Sequence, residues 1–250
     1  MPLHTFGWKK DRKDERDLKF SVVHHPHLAE LPERVDLSAK MPPVFDQGAL
    51  GSCTANALCG ALGFLQPGFI GSRLQVYYCE RELEGTVDQD AGAEIRDGVK
   101  VLASTGAAPE ADWPYDIHRF TVAPPARILA IAAAHKISSY SRLETEEDFR
   151  QCLAAGFPFV IGFECFSALD SGRVADTGCL PLPDYDTPVI GGHAVCVTGY
   201  DRHSPAGDAF LVRNSWGEDW GLKGNFWIPF AYLTHPDLAW DAWTLRGVGR

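Results

Sequence analysis

The sequence predicts an α+β protein of two lobes, one mainly helical and the next built on β-sheet, and three observations predict it. A run of small apolar residues from position 53 and a periodic segment near position 94 read as helices. From about residue 159 the chain changes to short apolar or alternating segments that read as strands. Helices come first and strands later, an order that favours segregated layers over a repeating βαβ sheet. At 250 residues with 45% hydrophobic content, the chain can bury a core large enough for one domain or two closely packed lobes.

In chain order, residues 1–30 read as an extension. Met1 to Lys10 lacks the apolar core of a secretory signal, and no later window is apolar enough to span a bilayer. The expectation is a soluble, cytoplasmic protein with reduced thiols and no membrane partner. Positions 9 to 19 are all charged except Leu18, with both signs mixed, and His24, His25 and His27 follow. Three readings are open for this arm: a solvated segment, an inhibitory segment lying across a cleft, and a metal site at the histidines. The spacing of those histidines across Pro26 suits no regular ligand geometry.

Cys53 to Leu65 is small and apolar almost throughout, as a helix buried on all sides would be. Ile95, Val99 and Leu102 recur at helical spacing before Gly106, which predicts a helix near 94–104. Thr145 with Asp148 three residues on resembles a capping signal, Phe149, Cys152 and Leu153 share a face, and Gly156-Phe157-Pro158 ends that helix. Phe159 to Phe163, Ala194 to Thr198, Phe210 to Arg213 and Asn225 to Ile228 then read as strands. Trp227, Trp240 and Trp243 are expected in the core.

A net charge of -10 and a pI near 5.3, with no basic run, argue against a nucleic-acid partner. The seven cysteines form an odd set without CxxC pairs, so neither a full disulfide framework nor a zinc ribbon is indicated. Cys59, Cys152 and Cys196 lie in apolar runs and read as core; a Cys165–Cys179 pair stays open.

Cys53 differs from its fellows. A cysteine is a strong nucleophile only as thiolate, which a helix N-terminus or an imidazolium favours. Cys53 follows Gly48, Gly51 and Ser52 and opens an apolar helix, so backbone N–H groups and the helix dipole face its sulfur. His193 sits where Gly191-Gly192 gives way to an apolar strand, the best placed of nine histidines. Asn214 ends the segment Phe210-Leu211-Val212-Arg213, where its amide can fix the imidazole while Trp216 shields that bond from water.

Together, Gln47-Gly48-Ala49-Leu50-Gly51-Ser52-Cys53, Gly192-His193-Ala194 and Asn214-Ser215-Trp216-Gly217 resemble the three catalytic blocks of the papain family, in order and position. His193 follows Cys53 within the family's interval of about 130 to 150 residues, and Asn214 lies slightly beyond it. Leu31-Pro32-Glu33-Arg34-Val35-Asp36-Leu37 resembles the start of a mature domain of that family, and Trp113-Pro114-Tyr115 its segment leading out of the first lobe. The resemblance implies a cysteine-type peptidase acting on peptides or proteins without metal or organic cofactor. It implies an oxyanion donor at Gln47 and substrate contacts at Gly92, Ala93, Gly192 and Trp216. It also implies a catalytic domain over 31–250, with lobes of about 31–118 and 119–250 flanking a cleft; the oligomeric state stays open, a monomer included.

Departures from the family pattern are Leu50 in place of a disulfide-bonded cysteine, Thr54 in place of an aromatic after the nucleophile, and Ala93 beside Gly92. Thirty residues before Leu31 are also too few for the usual folded pro-region. Two other readings use the same residues: a transpeptidase or amidase, and a latent binding or regulatory protein locked by its own N-terminus.

Overall fold

A computed structural model describes residues 4–23, 30–184 and 186–248; His24, His25 and His27 lie outside the described residues. The chain runs β1 (Trp8–Lys9), α1 (Phe20–Val23), β2 (Arg34–Asp36), α2 (Cys53–Leu65), α3 (Arg73–Glu84), β3 (Ala93–Glu94), α4 (Ile95–Ser104) and α5 (Ala126–Ala132). The second half runs β4 (Ile137–Leu143), α6 (Glu146–Ala154), β5 (Phe159–Phe166), α7 (Gly172–Thr177), β6 (Val189–Ser204), β7 (Gly207–Arg213), β8 (Asn225–Pro229), α8 (Phe230–Leu233) and β9 (Ala239–Val248). The fold is α+β, as the sequence predicts.

α2 is buried from Cys53 through Gly63, because its Ala, Gly and Cys side chains let neighbours close in on every side. α3 escapes prediction from sequence. Its buried residues include Arg73, Gln75, Glu80 and Arg81, so charge hides the apolar period on which a helix assignment depends. Partners inside the lobe satisfy its two arginines: Arg73 pairs with Glu110 at 2.7 Å, and Arg81 donates to the carbonyls of Val87 and Gln89. α6 carries the expected capping box, with Asp148 N–H donating to Thr145 Oγ1 at 3.0 Å and Thr145 N–H donating to Asp148 Oδ2 at 3.2 Å.

The larger sheet orders its strands β4-β9-β5-β6-β7-β8, with β2 also pairing β6. All four predicted strands are present, and β6 extends well beyond 194–198 because β5, β7 and β2 all pair with it. β4 and β9 were hidden by polar residues: Ser141, Asp241 and Thr244 are buried within them. One core joins α2 to α5 with Trp243 and Leu245; a second lies under β5 to β8 and α6. Cys165 and Cys179 do not pair, since both are free thiols, Cys165 buried in β5 and Cys179 partly exposed.

The charged arm is pinned to the domain through buried carboxylates. Asp11 is only 7% exposed. Its N–H donates to Asp241 Oδ2 at 2.7 Å, and its carboxylate accepts from Trp243 Nε1 at 2.8 Å and the Arg96 N–H at 3.0 Å. Arg142 binds Asp241 at 2.7 Å and Asp17 at 3.2 Å, and approaches Asp11 at 3.5 Å. Arg96 completes the cluster through Asp17 at 2.5 Å and the Arg12 carbonyl. Three carboxylates thus face two guanidiniums.

Burial and the neighbouring Asp241 carboxylate push Asp11 up to about 7. A carboxyl raised on folding contributes its full stabilisation below its unfolded value near 4, and loses it as pH climbs from there toward about 7. Asp11→Asn removes that titration. Chemical unfolding of both chains at pH 4 and pH 8 is expected to show the stability difference moving in favour of the variant by roughly 1–3 kcal/mol at the higher pH; a pH-independent difference would contradict this.

Candidate active site

Cys53 opens α2 and carries no exposed surface. Its thiol faces the backbone N–H groups of Ala194, Gly7 and Thr54, so it rests between the helix start, β6 and the arm. His193 is also fully buried. It stands in β6 opposite Phe163 of β5, and Nε2 bonds Asn214 Oδ1 at 2.8 Å. Its Nδ1 is buried without a hydrogen-bond partner among the described residues, which leaves that nitrogen available to a reacting proton. Asn214 follows β7, and its Oδ1 is held further by the Ser215 N–H at 2.8 Å. Trp216 stacks on the His193 ring at 4.8 Å between centroids, covering the His–Asn bond from one side.

Gln47 is oriented by a residue that sequence reasoning overlooked. Ser215 Oγ donates to Gln47 Oε1 at 2.6 Å, which turns the Nε2 hydrogens away, toward the carbonyls of Leu50 at 3.0 Å and Thr5 at 3.1 Å. Tyr115, in the Trp-Pro-Tyr motif, meets Ser52 Oγ at 2.5 Å and donates to the Gln47 carbonyl at 3.0 Å. Ser52 and Gln47 are thereby tied to one ring. Thr54 donates to the buried carboxyl of Glu80 at 2.9 Å, a polar anchor where the resemblance leads one to expect an aromatic. Leu50 is buried core.

The second missed component is the arm itself. His4 stacks on Trp216 at 4.0 Å and pairs with Asp170 at 2.6 Å. Phe6 packs edge-on against His193 at 6.0 Å. The Gly7 carbonyl accepts from the Ala93 N–H at 2.8 Å, and β1 continues beside β3 in parallel. A Cβ on Gly7 would strike the Gly51 carbonyl, and one on Gly92 would strike the Gly7 carbonyl, so backbone meets backbone on both sides. Gly92 and Ala93, expected to receive substrate, receive the arm, and Trp8 lies against Gly192. The one signal in the sequence was the apolar Phe6-Gly7-Trp8 ahead of the charge run.

Burial shifts both Cys53 and His193 toward their neutral forms. It pushes the Cys53 thiol up to about 12, against the pull of the facing N–H groups. It brings His193 down to about 4, although the Asn214 bond favours the charged ring. Both shifts favour neutral thiol and neutral imidazole over the ion pair a reactive cysteine needs.

A family model described as papain family cysteine protease matches residues 31–232. The chain belongs to that family. An uncharacterized peptidase C1-like protein of Acanthamoeba polyphaga mimivirus is 35% identical over 98% of this chain and 87% of that protein. Xylellain, a cysteine protease from Xylella fastidiosa, has a solved structure that superposes with a TM-score of 0.88 at 38% identity, covering 99% of this chain and 97% of that one. Cathepsin J of Mus musculus is 28% identical over 79% of this chain, which spans 59% of that relative's length. Among the described residues of this papain-family protease, no helix is long and apolar enough to cross a membrane.

Gly7→Val places a side chain where only backbone fits, and is expected to lift the arm from Cys53. Alkylation of Cys53 by iodoacetamide at pH 6, read by peptide mapping, should accelerate at least about tenfold over the unsubstituted chain. Equal rates in the two folded proteins would contradict the closed-arm account.

Proposed function

We propose that this protease cleaves peptide bonds through Cys53, His193 and Asn214, with Gln47 as oxyanion donor, and that residues 1–30 hold the catalytic domain over 31–250 in a latent state. The observation that carries the reading is the chain of hydrogen bonds Ser215–Gln47 and Asn214–His193, which orients an amide donor and a histidine on either side of the Cys53 helix start.

With the arm lifted, water reaches the cleft and the desolvation that keeps both groups neutral falls. His193 Nδ1 can then take the Cys53 proton, giving thiolate and imidazolium. The thiolate attacks the substrate carbonyl carbon, and the oxygen takes up negative charge against Gln47 Nε2 and the Cys53 N–H. His193 returns the proton to the leaving amine, activates a water, and the thioester is hydrolysed. Asn214 keeps the ring in one orientation, and Trp216 excludes water from their bond.

The Thr5 carbonyl uses the Gln47 hydrogen that the oxyanion would need. This favours the locked reading as the resting state of the same enzyme. A different acyl acceptor would make the protein a transpeptidase or amidase on identical residues; no feature of the cleft favours that over water.

In the Gly7→Val background, Cys53→Ser is expected to abolish hydrolysis of a fluorogenic peptide library, and Gln47→Ala to lower kcat/KM by about 10² to 10³. Cleavage surviving in Cys53→Ser would reject the thiol mechanism.

A further inference from the structure

The two walls that flank Gly7 are tied to each other behind it. One wall is the turn that leads into Cys53, and the other is the Gly92-Ala93 backbone. The Gly51 N–H donates to both carboxylate oxygens of Asp90 at 3.0 Å. The Tyr77 hydroxyl of α3 donates to Asp90 Oδ1 at 2.5 Å and accepts from the Gly92 N–H at 3.1 Å. A circuit therefore runs from Gly51 through one carboxylate and one phenol to Gly92, with Gly7 lying across its open side. A Cβ on Gly51 would come 3.1 Å from Asp90 Oδ1 and 3.4 Å from the Gly7 Cα, so the turn is gripped on both faces.

Both members of the circuit are themselves held. Tyr77 is fully buried, and the Arg81 guanidinium lies over its ring, 4.1 Å from the centroid. The same Arg81 donates to the carbonyls of Val87 and Gln89 at 2.8 and 2.9 Å, which pins the segment leading into Asp90. Burial and the Asp90 bond push the Tyr77 phenol well above its ordinary value, so it keeps the proton that it donates. Asp90 stands at the surface, where an aspartate adds little to a core, yet both its oxygens turn inward onto the nucleophile's turn. All seven cysteines are free thiols, so no disulfide joins the two walls, and charge-assisted hydrogen bonds take up that work.

We propose that Asp90 and Tyr77 are positioning residues: they hold the Cys53 turn at a fixed distance from the Ala93 N–H, so that extended backbone bonded to Ala93 meets the thiol at attacking range. In the resting chain that backbone is Gly7. Calling it substrate in the open enzyme rests on the peptidase reading above; the clamp itself does not. A misplacement of about 1 Å between reacting groups can cost about 10²-fold in rate, whereas a peptide anchored along the rest of the cleft still binds. Loss of the clamp is therefore a loss of kcat rather than a rise in KM.

The test uses Tyr77→Phe, Asp90→Ala and the double variant, with thermal melting to verify the fold. Phenylalanine keeps the ring under Arg81 and removes only the hydroxyl. In the otherwise unsubstituted chain, hydrogen exchange at the Ala93 amide, which Gly7 covers, is expected to accelerate at least about tenfold in each single variant, while amides in the middle of α2 keep their protection. The double variant should exceed neither single variant by more than about twofold, because residues of one circuit do not act additively. Unchanged exchange at Ala93, or full additivity, overturns the clamp. In the Gly7→Val background, each single variant is expected to lower kcat on a fluorogenic peptide at least about tenfold with KM within about twofold; a rise in KM with kcat retained overturns the positioning role. If the Gly7→Val chain cleaves no peptide while exchange at Ala93 still responds to both substitutions, the peptidase reading alone fails and the clamp stands.

Discussion

Everything distinctive in this cleft depends on one close approach, the passage of Gly7 between Gly51 and Gly92. A Cβ on Gly7 or on Gly92 would run into backbone, so the arm enters as bare backbone, at the helix start that carries Cys53. Once Gly7 is seated, its carbonyl bonds Ala93, Thr5 reaches Gln47, and Phe6 and Trp8 fall to either side, one against His193 and the other over Gly162 and Gly192. The arm fills the surroundings of Cys53, the space beside the Gln47 amide and the glycine-floored recess together.

Burial in the covered cleft shifts Cys53 and His193 toward their neutral forms. A helix N-terminus and facing N–H groups favour thiolate, but removal from water costs a buried charge more than those groups return. The inner network at Asp11, Asp17, Asp241, Arg96 and Arg142 shows how the arm is held some distance from the cleft. There, three carboxylates to two guanidiniums leave the docked arm short of one positive charge. Its grip is sensitive to protons in the sense opposite to release in acid, because protonating Asp11 relieves the imbalance.

Much of this was legible in the residues. Cys53 stands where a glycine-rich turn gives way to a helix, Asn214 directly follows a strand, and His193 lies inside β6 next to two glycines; glycines beside apolar runs and strand ends are signals that survive in sequence. The capping box at Thr145 was equally readable, since it is local. What escaped notice was non-local or polar. α3 and β9 carry buried Glu80, Arg81 and Asp241, whose charges look like surface until their partners are known. Ser215 was plainly visible beside Asn214, yet its bond to Gln47 joins residues 168 positions apart. The arm's role hid in Gly7, because a single glycine reveals a close approach only when the facing backbone is seen.

Closure over the proposed catalytic pair, Cys53 and His193, favours their neutral forms, and the most direct measurement is the titration of His193 in the intact chain, followed through its ring proton resonances by nuclear magnetic resonance. The account predicts a neutral ring throughout pH 5 to 8, with protonation only near pH 4. A His193 ring that is already imidazolium at pH 7, with Cys53 ionised beside it, would contradict it.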